Sequence, residues 1–278
     1  MNLKDKILEE AKEFADSVIT PNATDFDRKG AIPKDIIKNL GIHRYIGANF
    51  PLNYDGLNFD PIYYGYLTET MGKACSSVRS LLTVHSSLVG ESLLRFGSEE
   101  QKKSLLPQMA RGDILTAFAL SEPQVGSDAG SVQTSYRKTG NDFVINGAKK
   151  WITMGGLADM FLVIARNENT LSAFLVPADS EGVTVTPMKG LMAGKASYVA
   201  EITFEEVVIG QGNLLGKEGI GFSYVVNTAL DHGRYSVAWG GLGVATAALE
   251  SMVTYARERK QFGKGIHSYQ LIQGMIAD

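Results

Sequence analysis

The chain has 278 residues, 44% hydrophobic and 21% charged, with a net charge of −3 and one cysteine. A balance without basic excess excludes a surface built on nucleic-acid phosphates. No run reaches the roughly 18 apolar residues of a membrane span. Cys75 alone can form neither an internal disulfide nor a cysteine-built metal site.

From Met1 to about Gly112 the apolar pattern is helical. The charged, amphipathic start MNLKDKILEE is unlike a secretory signal, so a cytoplasmic location is expected. Leu3, Ile7, Leu8, Ala11, Phe14, Ala15, Val18 and Ile19 recur at steps of three and four, one buried face, until Pro21 marks a stop. Further helices are predicted over 33–40, 60–73, 77–96 and 99–109, with Gly97 closing one and Ser98 capping the next. From Asp113 the period changes to two. Strands are predicted over 114–120, 135–139, 142–144, 149–153, 160–165, 173–177, 183–187 and 199–208, with turn chemistry at Gly140-Asn141 and Asn146-Gly147. Such short, evenly spaced strands point to a small antiparallel sandwich or barrel. From Gly219 helical periodicity returns, with one long helix over 222–260 and a new one starting near Tyr269. Gly240-Gly241-Leu242-Gly243 interrupts the long helix at about 1 kcal/mol per glycine. The cluster serves close packing against another helix, or leaves room for a ligand. The four histidines (43, 85, 232 and 267) show no metal-ligand spacing, so no metal is expected.

Four stretches carry candidate chemistry. SEPQVGSD (121–128) follows a strand with unusually dense turn chemistry. Pro123 fixes φ, Gly126 permits close backbone approach, and two serines could bond an anion or a ring edge; an ordinary tight turn explains the same letters. In KKWIT (149–153), strand alternation puts Trp151 and Thr153 on one face and Ile152 on the other. That suits a flat polar heterocycle, or else a tryptophan packed in the sheet core. Asp231 and Arg234 in LDHGR lie three apart on a helix, either as a surface ion pair or lining a site. The cations of RERKQFG (257–263) complement the helix dipole, or fork onto a phosphate.

Taken in order, these stretches resemble the acyl-CoA dehydrogenase family of flavoproteins, as do VHSSL (84–88), FGSEEQKKSLLPQMARGD (96–113) and NLLGKEGIGF (213–222). The resemblance covers nearly the whole chain. It implies an α+β fold: an N-terminal helical domain (1–112), a middle β domain (113–215) and the start of a C-terminal helical bundle (216–278), assembled as dimers or tetramers. It implies FAD. By the resemblance, Phe118, Leu120 and Ser121 line the flavin's pyrimidine side, while Trp151, Ile152 and Thr153 cover its other side. Arg259, Phe262 and Gln270 reach the dinucleotide of a neighbouring subunit. Ser127, Asp231 and Arg234 face the acyl-thioester substrate. The implied reaction turns an acyl-CoA or acyl-carrier-protein thioester into the trans-2-enoyl thioester, with an electron-transferring flavoprotein as a partner; the carrier-protein substrate would belong to polyketide extender-unit biosynthesis. Oxygen-dependent chemistry of the flavin monooxygenase or nitroalkane oxidase kind, or a non-catalytic flavin-binding remnant, would fit the same scaffold.

The family's catalytic glutamate has no match. One of its two known positions falls on Gly233, which has no side chain, and the other lies beyond Asp278. His232 is rotated about 100° from Gly233 on a helix, and Glu122 and Asp128 read as parts of the turn. The sequence stops inside a helical pattern without a cap, so a piece of a longer enzyme is expected. A half-built bundle would expose the apolar face of the long helix, with poor solubility or loss of flavin.

Overall fold

Asn2 opens the first helix by a reciprocal cap: its side chain accepts the Asp5 N–H, and the Asp5 carboxylate accepts the Asn2 N–H. The computed structural model describes residues 2–168 and 170–278. Helix α1 (Leu3–Phe14) continues as a π-helical turn over Ala15–Ile19, so Ala11, Ala15 and Ile19 all face the core. Pro21 does not end the helical path. It sits in a 3-10 turn, Thr20–Asn22, where its missing N–H costs little, and α2 (Ala23–Lys29) follows, a helix the sequence pattern did not suggest. Next come α3 (Lys34–Ile42), α4 (Pro61–Ala74) and α5 (Ser76–Leu82), then a π-helical stretch (Thr83–Gly90), α6 (Glu91–Phe96) and α7 (Glu99–Arg111). Ser98 and Gln101 form a second reciprocal cap at the start of α7.

The strands are β1 (Thr116–Ala119), β2 (Ser135–Thr139), β3 (Asp142–Ile152), β4 (Met160–Asn167), β5 (Thr170–Pro177), β6 (Val183–Pro187) and β7 (Ala200–Gly210). They form one seven-stranded sheet in the order β1-β4-β2-β3-β7-β6, with β5 also on β4. One edge of β4 carries β5; the other carries β1 in parallel and then meets β2, Ser135 opposite Arg166. The sheet is therefore mixed where the alternation suggested antiparallel pairing throughout. A period of two is common to both pairings, so the pattern could not separate them.

Asn146-Gly147 is not a turn. β3 runs straight through it with a bulge against β7 between Ile145 and Gly147. Gly147 adopts φ +145, and a Cβ there would lie 2.6 Å from the Thr134 Cα. Across the bulge Asn146 Nδ2 donates to Glu206 Oε1 at 2.7 Å, and the Glu206 N–H donates to Asn146 Oδ1 at 2.8 Å.

A π-helical entry, Gly221–Val226, leads into α8 (Asn227–Glu258), 32 residues and so about 48 Å long. Its glycines pack closely: a Cβ on Gly243 would lie 2.2 Å from the Glu69 carbonyl oxygen of α4, and one on Gly240 2.6 Å from Arg79 Cδ. Gly241 faces open space. Val237, Leu242, Val244, Leu249 and Met252 leave an exposed apolar stripe along α8. A short hairpin, β8 (Lys260–Gln261) with β9 (Lys264–Gly265), precedes α9 (Gln270–Ala277). No helix among the described residues is long and apolar enough to cross a membrane.

One buried histidine joins the helices to the sheet. His85 Nε2 donates to the Met109 carbonyl at 3.0 Å, which fixes the tautomer and leaves Nδ1 to accept the Thr116 N–H at 3.1 Å. Burial pushes its pKa down to about 4.

Candidate functional site

The segment after β1 folds back on itself. The Glu122 N–H donates to the Val125 carbonyl at 2.9 Å and the Val125 N–H to the Glu122 carbonyl at 3.1 Å, a tight turn over Pro123-Gln124. Glu122 then enters the protein. Its carboxylate, 3% exposed, accepts the Gln133 and Thr134 N–H groups at 2.6 and 2.9 Å and the Lys149 ammonium at 2.7 Å. Lys149, fully buried, also donates to the Leu120 carbonyl at 3.0 Å. Burial raises the Glu122 pKa, but Lys149 and the two N–H groups outweigh it, and the net effect is downward. Burial lowers Lys149 to about 8 despite the carboxylate.

This pair clamps SEPQVGSD onto KKWIT. Ser121 completes the seam: its carbonyl accepts the Lys150 N–H at 2.9 Å, and its hydroxyl donates to the Lys150 carbonyl at 2.7 Å. The two stretches thus form one structural unit. Phe118 and Leu120 lie buried at the end of β1, Phe118 opposite Leu162 of β4.

The end of β3 departs from plain alternation. Its pairing with β7 slips between Lys149 and Ile152, and Trp151 takes φ +61. Ile152 is 2% exposed and turned into the core, so only its backbone is available to a ligand; the Trp151 indole is 50% exposed. The indole is therefore not packed in the sheet interior. Lys150 Nζ lies 5.6 Å from its ring centroid, a cation–π contact. Thr153, half-buried, and Ser127, exposed, make no side-chain hydrogen bond among the described residues. Asp128 is engaged within the loop, accepting the Ser131 hydroxyl at 2.5 Å.

A separate cleft of about 430 Å³ lies between the Thr83–Gly90 stretch and α8, walled by Thr83, Leu88, Leu230, Gly233, Arg234 and Val237. Gly233 is where the helix lets Leu88 approach: a Cβ there would lie 2.4 Å from Leu88 Cδ2. Asp231 is exposed, does not line this cleft, and forms no ion pair with Arg234, so the helical salt bridge that their spacing allowed is absent. His232 turns to α6, its Nε2 2.9 Å from Arg95 Nη2. Arg259, Phe262 and Gln270 are all exposed at the far end of α8 and beyond it, Phe262 93% so. They are not joined to the other predicted residues within one chain. A larger groove of about 570 Å³, walled by Lys34, Arg44, Arg111 and Leu157 among others, contains none of the predicted residues.

Sequence reasoning missed Lys149 and the buried role of Glu122. The available signal was the lysine pair inside a strand: alternation must turn one of the two inward, where it needs a carboxylate.

Family comparison matches three consecutive models: acyl-CoA dehydrogenase N-terminal domain over residues 3–113, middle domain over 117–207 and C-terminal domain over 219–278. The chain belongs to the acyl-CoA dehydrogenase family. It is 40% identical over 278 residues to a probable acyl-CoA dehydrogenase, YngJ, of Bacillus subtilis, covering 98% of this chain and 73% of that protein. It is 34% identical to the short-chain specific acyl-CoA dehydrogenase of Clostridium acetobutylicum, covering 96% and 72%. Among solved acyl-CoA dehydrogenase folds, butyryl-CoA dehydrogenase from Megasphaera elsdenii superposes with TM-score 0.94 at 32% identity, over 100% of this chain and 75% of that one. A glutaryl-CoA dehydrogenase from Mycobacterium smegmatis in complex with FADH2 gives 0.93 at 30%, over 100% and 71%. A prolyl acyl carrier protein oxidase, AnaB, gives 0.92 at 27%, over 100% and 75%.

Proposed function

We propose that this acyl-CoA dehydrogenase binds FAD at the seam between SEPQVGSD and KKWIT and removes two hydrogens from an acyl thioester to give the trans-2-enoyl thioester. The observation that carries the reading is the Ser121–Lys150 double hydrogen bond, which sets an exposed indole and an unpartnered Thr153 hydroxyl beside the backbone of the SEPQVGSD turn. Those groups fit a flat ring with polar edges. Trp151 would cover one face, Thr153 and the Leu120–Ser121 backbone would bond the edges, and Phe118 would pack beneath. When bound, FAD would supply the two-electron acceptor for the hydrogen leaving the β-carbon.

The chain's own part is position and exclusion of water. The cleft beside Leu88, Leu230 and Val237 would hold the acyl chain, with Arg234 at its wall and Ser127 and Asp231 toward the pantetheine side. CoA and carrier-protein thioesters share that pantetheine arm. None of the cleft's lining residues is a carboxylate, so the base that takes the α-proton is assigned to none of them. Arg259 lies 25 residues beyond Arg234, about 38 Å along α8. That separation favours the reading in which Arg259, Phe262 and Gln270 serve the dinucleotide of a second copy in a dimer or tetramer. An electron-transferring flavoprotein is the proposed acceptor.

The test is anaerobic mixing of the flavin-loaded holoenzyme with butyryl-CoA and with butyryl-carrier protein. Bleaching of the flavin by either thioester, with a 2-enoyl product, is the expected result. An unchanged spectrum with both, or turnover only with oxygen consumption, would replace the dehydrogenase reading with one of the other flavin chemistries.

A further inference from the structure

Among the described residues Lys149 is the one lysine or arginine that is fully buried, and the dehydrogenation proposed above assigns no part to its charge. An apolar pair of similar volume is often as stable as a buried ion pair, so stability is a weak reason for a charge at this place. Its neighbours give a stronger one.

Lys149 Nζ donates to Glu122 Oε1 at 2.7 Å and to the Leu120 carbonyl at 3.0 Å. The Leu120 carbonyl and the Ser121 N–H belong to one peptide group. A trans peptide points the two in opposite directions, so the ammonium stands at one end and the N–H leaves from the other. The N–H groups of Leu120 and Ser121 donate to no acceptor among the described residues. A cation on a carbonyl oxygen polarises its peptide and makes the N–H a better donor, the more so where water is excluded. The Glu122 carboxylate accepts the Gln133 and Thr134 N–H groups at 2.6 and 2.9 Å. Of the two charges, the positive one therefore touches the Leu120–Ser121 peptide. Burial leaves the Lys149 pKa at about 8, so the ammonium persists at neutral pH.

We infer that Lys149, acting through the Leu120–Ser121 peptide, sets the reduction potential of the flavin bound at the seam and favours its reduced form. This rests on the FAD reading of the seam. An oxidised flavin ring is neutral, whereas the reduced ring carries negative charge on its pyrimidine edge at neutral pH. A polarised N–H at that edge holds the second state more tightly than the first, and charge near the ring nitrogens is a lever by which a protein tunes a flavin. Lys149 is thus a positioning residue: it prepares the donor and is not itself a reacting group.

The test measures the two-electron potential of the flavin in the holoenzyme at neutral pH, by anaerobic reduction against a reference dye. Wild type is compared with two double variants, Lys149→Met with Glu122→Gln and Lys149→Gln with Glu122→Gln. Both remove the pair of charges without stranding one partner, and the second keeps a neutral donor for the Leu120 carbonyl. In both, the affinity for reduced over oxidised FAD is expected to fall roughly tenfold, a drop of about 30 mV for a two-electron couple. Lys149→Arg, which keeps the charge, retains the wild-type potential. Where a variant holds FAD too weakly for titration, the same ratio follows from the dissociation constants of oxidised and reduced FAD. A purely structural clamp would weaken both oxidation states alike and leave the potential where it was. An unchanged ratio in both double variants, with the flavin still quenched by Trp151, overturns the inference and leaves the seam reading standing. Failure of the wild type to bind FAD, or binding without that quenching, overturns the two together.

Discussion

Lys149 and Glu122 hold the candidate site together through a contact that no local pattern announces. Each would be unstable in the interior alone; together they are joined by a 2.7 Å charged hydrogen bond, and backbone N–H groups occupy the rest of the carboxylate. Lys149→Met leaves Glu122 buried and unpaired, and is expected to cost about 3–5 kcal/mol of stability, read as a fall in thermal midpoint. Adding Glu122→Gln restores part of the loss, because it removes the unpaired charge and its amide oxygen still accepts from one of the Gln133 and Thr134 N–H groups. A single mutant as stable as wild type would show the pair to be dispensable. Gly233 and Trp151 differ in how far their letters carried. Gly233 reads in sequence as an absent side chain; the structure adds that Leu88 fills the place a Cβ would need. Trp151 reads as one of two alternatives, and its half-exposed indole removes the core-packed one.

At the level of elements, most helices and most strands follow from periodicity, because a buried face must repeat with the backbone that carries it; the short α2 after Pro21 did not. What escaped are the features that share a period with something else. Parallel and antiparallel strands both alternate, so the β1–β4 pairing was invisible. Asn146-Gly147 suits a turn or a bulge, and only the contact of β3 with β7 decides between them. The π-helical stretch Thr83–Gly90 reads as ordinary helix, yet it carries Thr83 and Leu88 of the cleft and His85 of the junction with β1. His85 makes that junction sensitive to acid. The unfolded chain takes up a proton near pH 6.5, while the buried ring resists it down to about pH 4. Stability is therefore lost as pH falls through that window, by an amount of order 3 kcal/mol. His85→Gln is expected to flatten the slope of unfolding free energy against pH between 6.5 and 4; an unchanged slope would place the titration elsewhere.

Across the whole molecule, sequence order and spatial order part company. SEPQVGSD and KKWIT, some 20 residues apart in the sequence, meet through Ser121 and Lys150 and form one seam. LDHGR and RERKQFG share α8 but sit toward its opposite ends, so no single chain brings the predicted residues into one place. Motif order was legible because turns and exposed aromatics need particular residue types. The buried clamp was not, because Lys149 looks like any surface cation until its surroundings are known.

The claim on which the account turns is that the flavin ring lies against the Trp151 indole. The chain has two tryptophans, and the other, Trp239, packs against Tyr66 and Tyr235 on the helical side. Flavin fluorescence of the holoenzyme therefore tests the placement directly, since a stacked indole quenches a flavin. Weak emission in the wild type and in Trp239→Phe, with a several-fold rise in Trp151→Phe at equal flavin content, is the predicted result. Emission that ignores Trp151, or that recovers only in Trp239→Phe, would contradict the site.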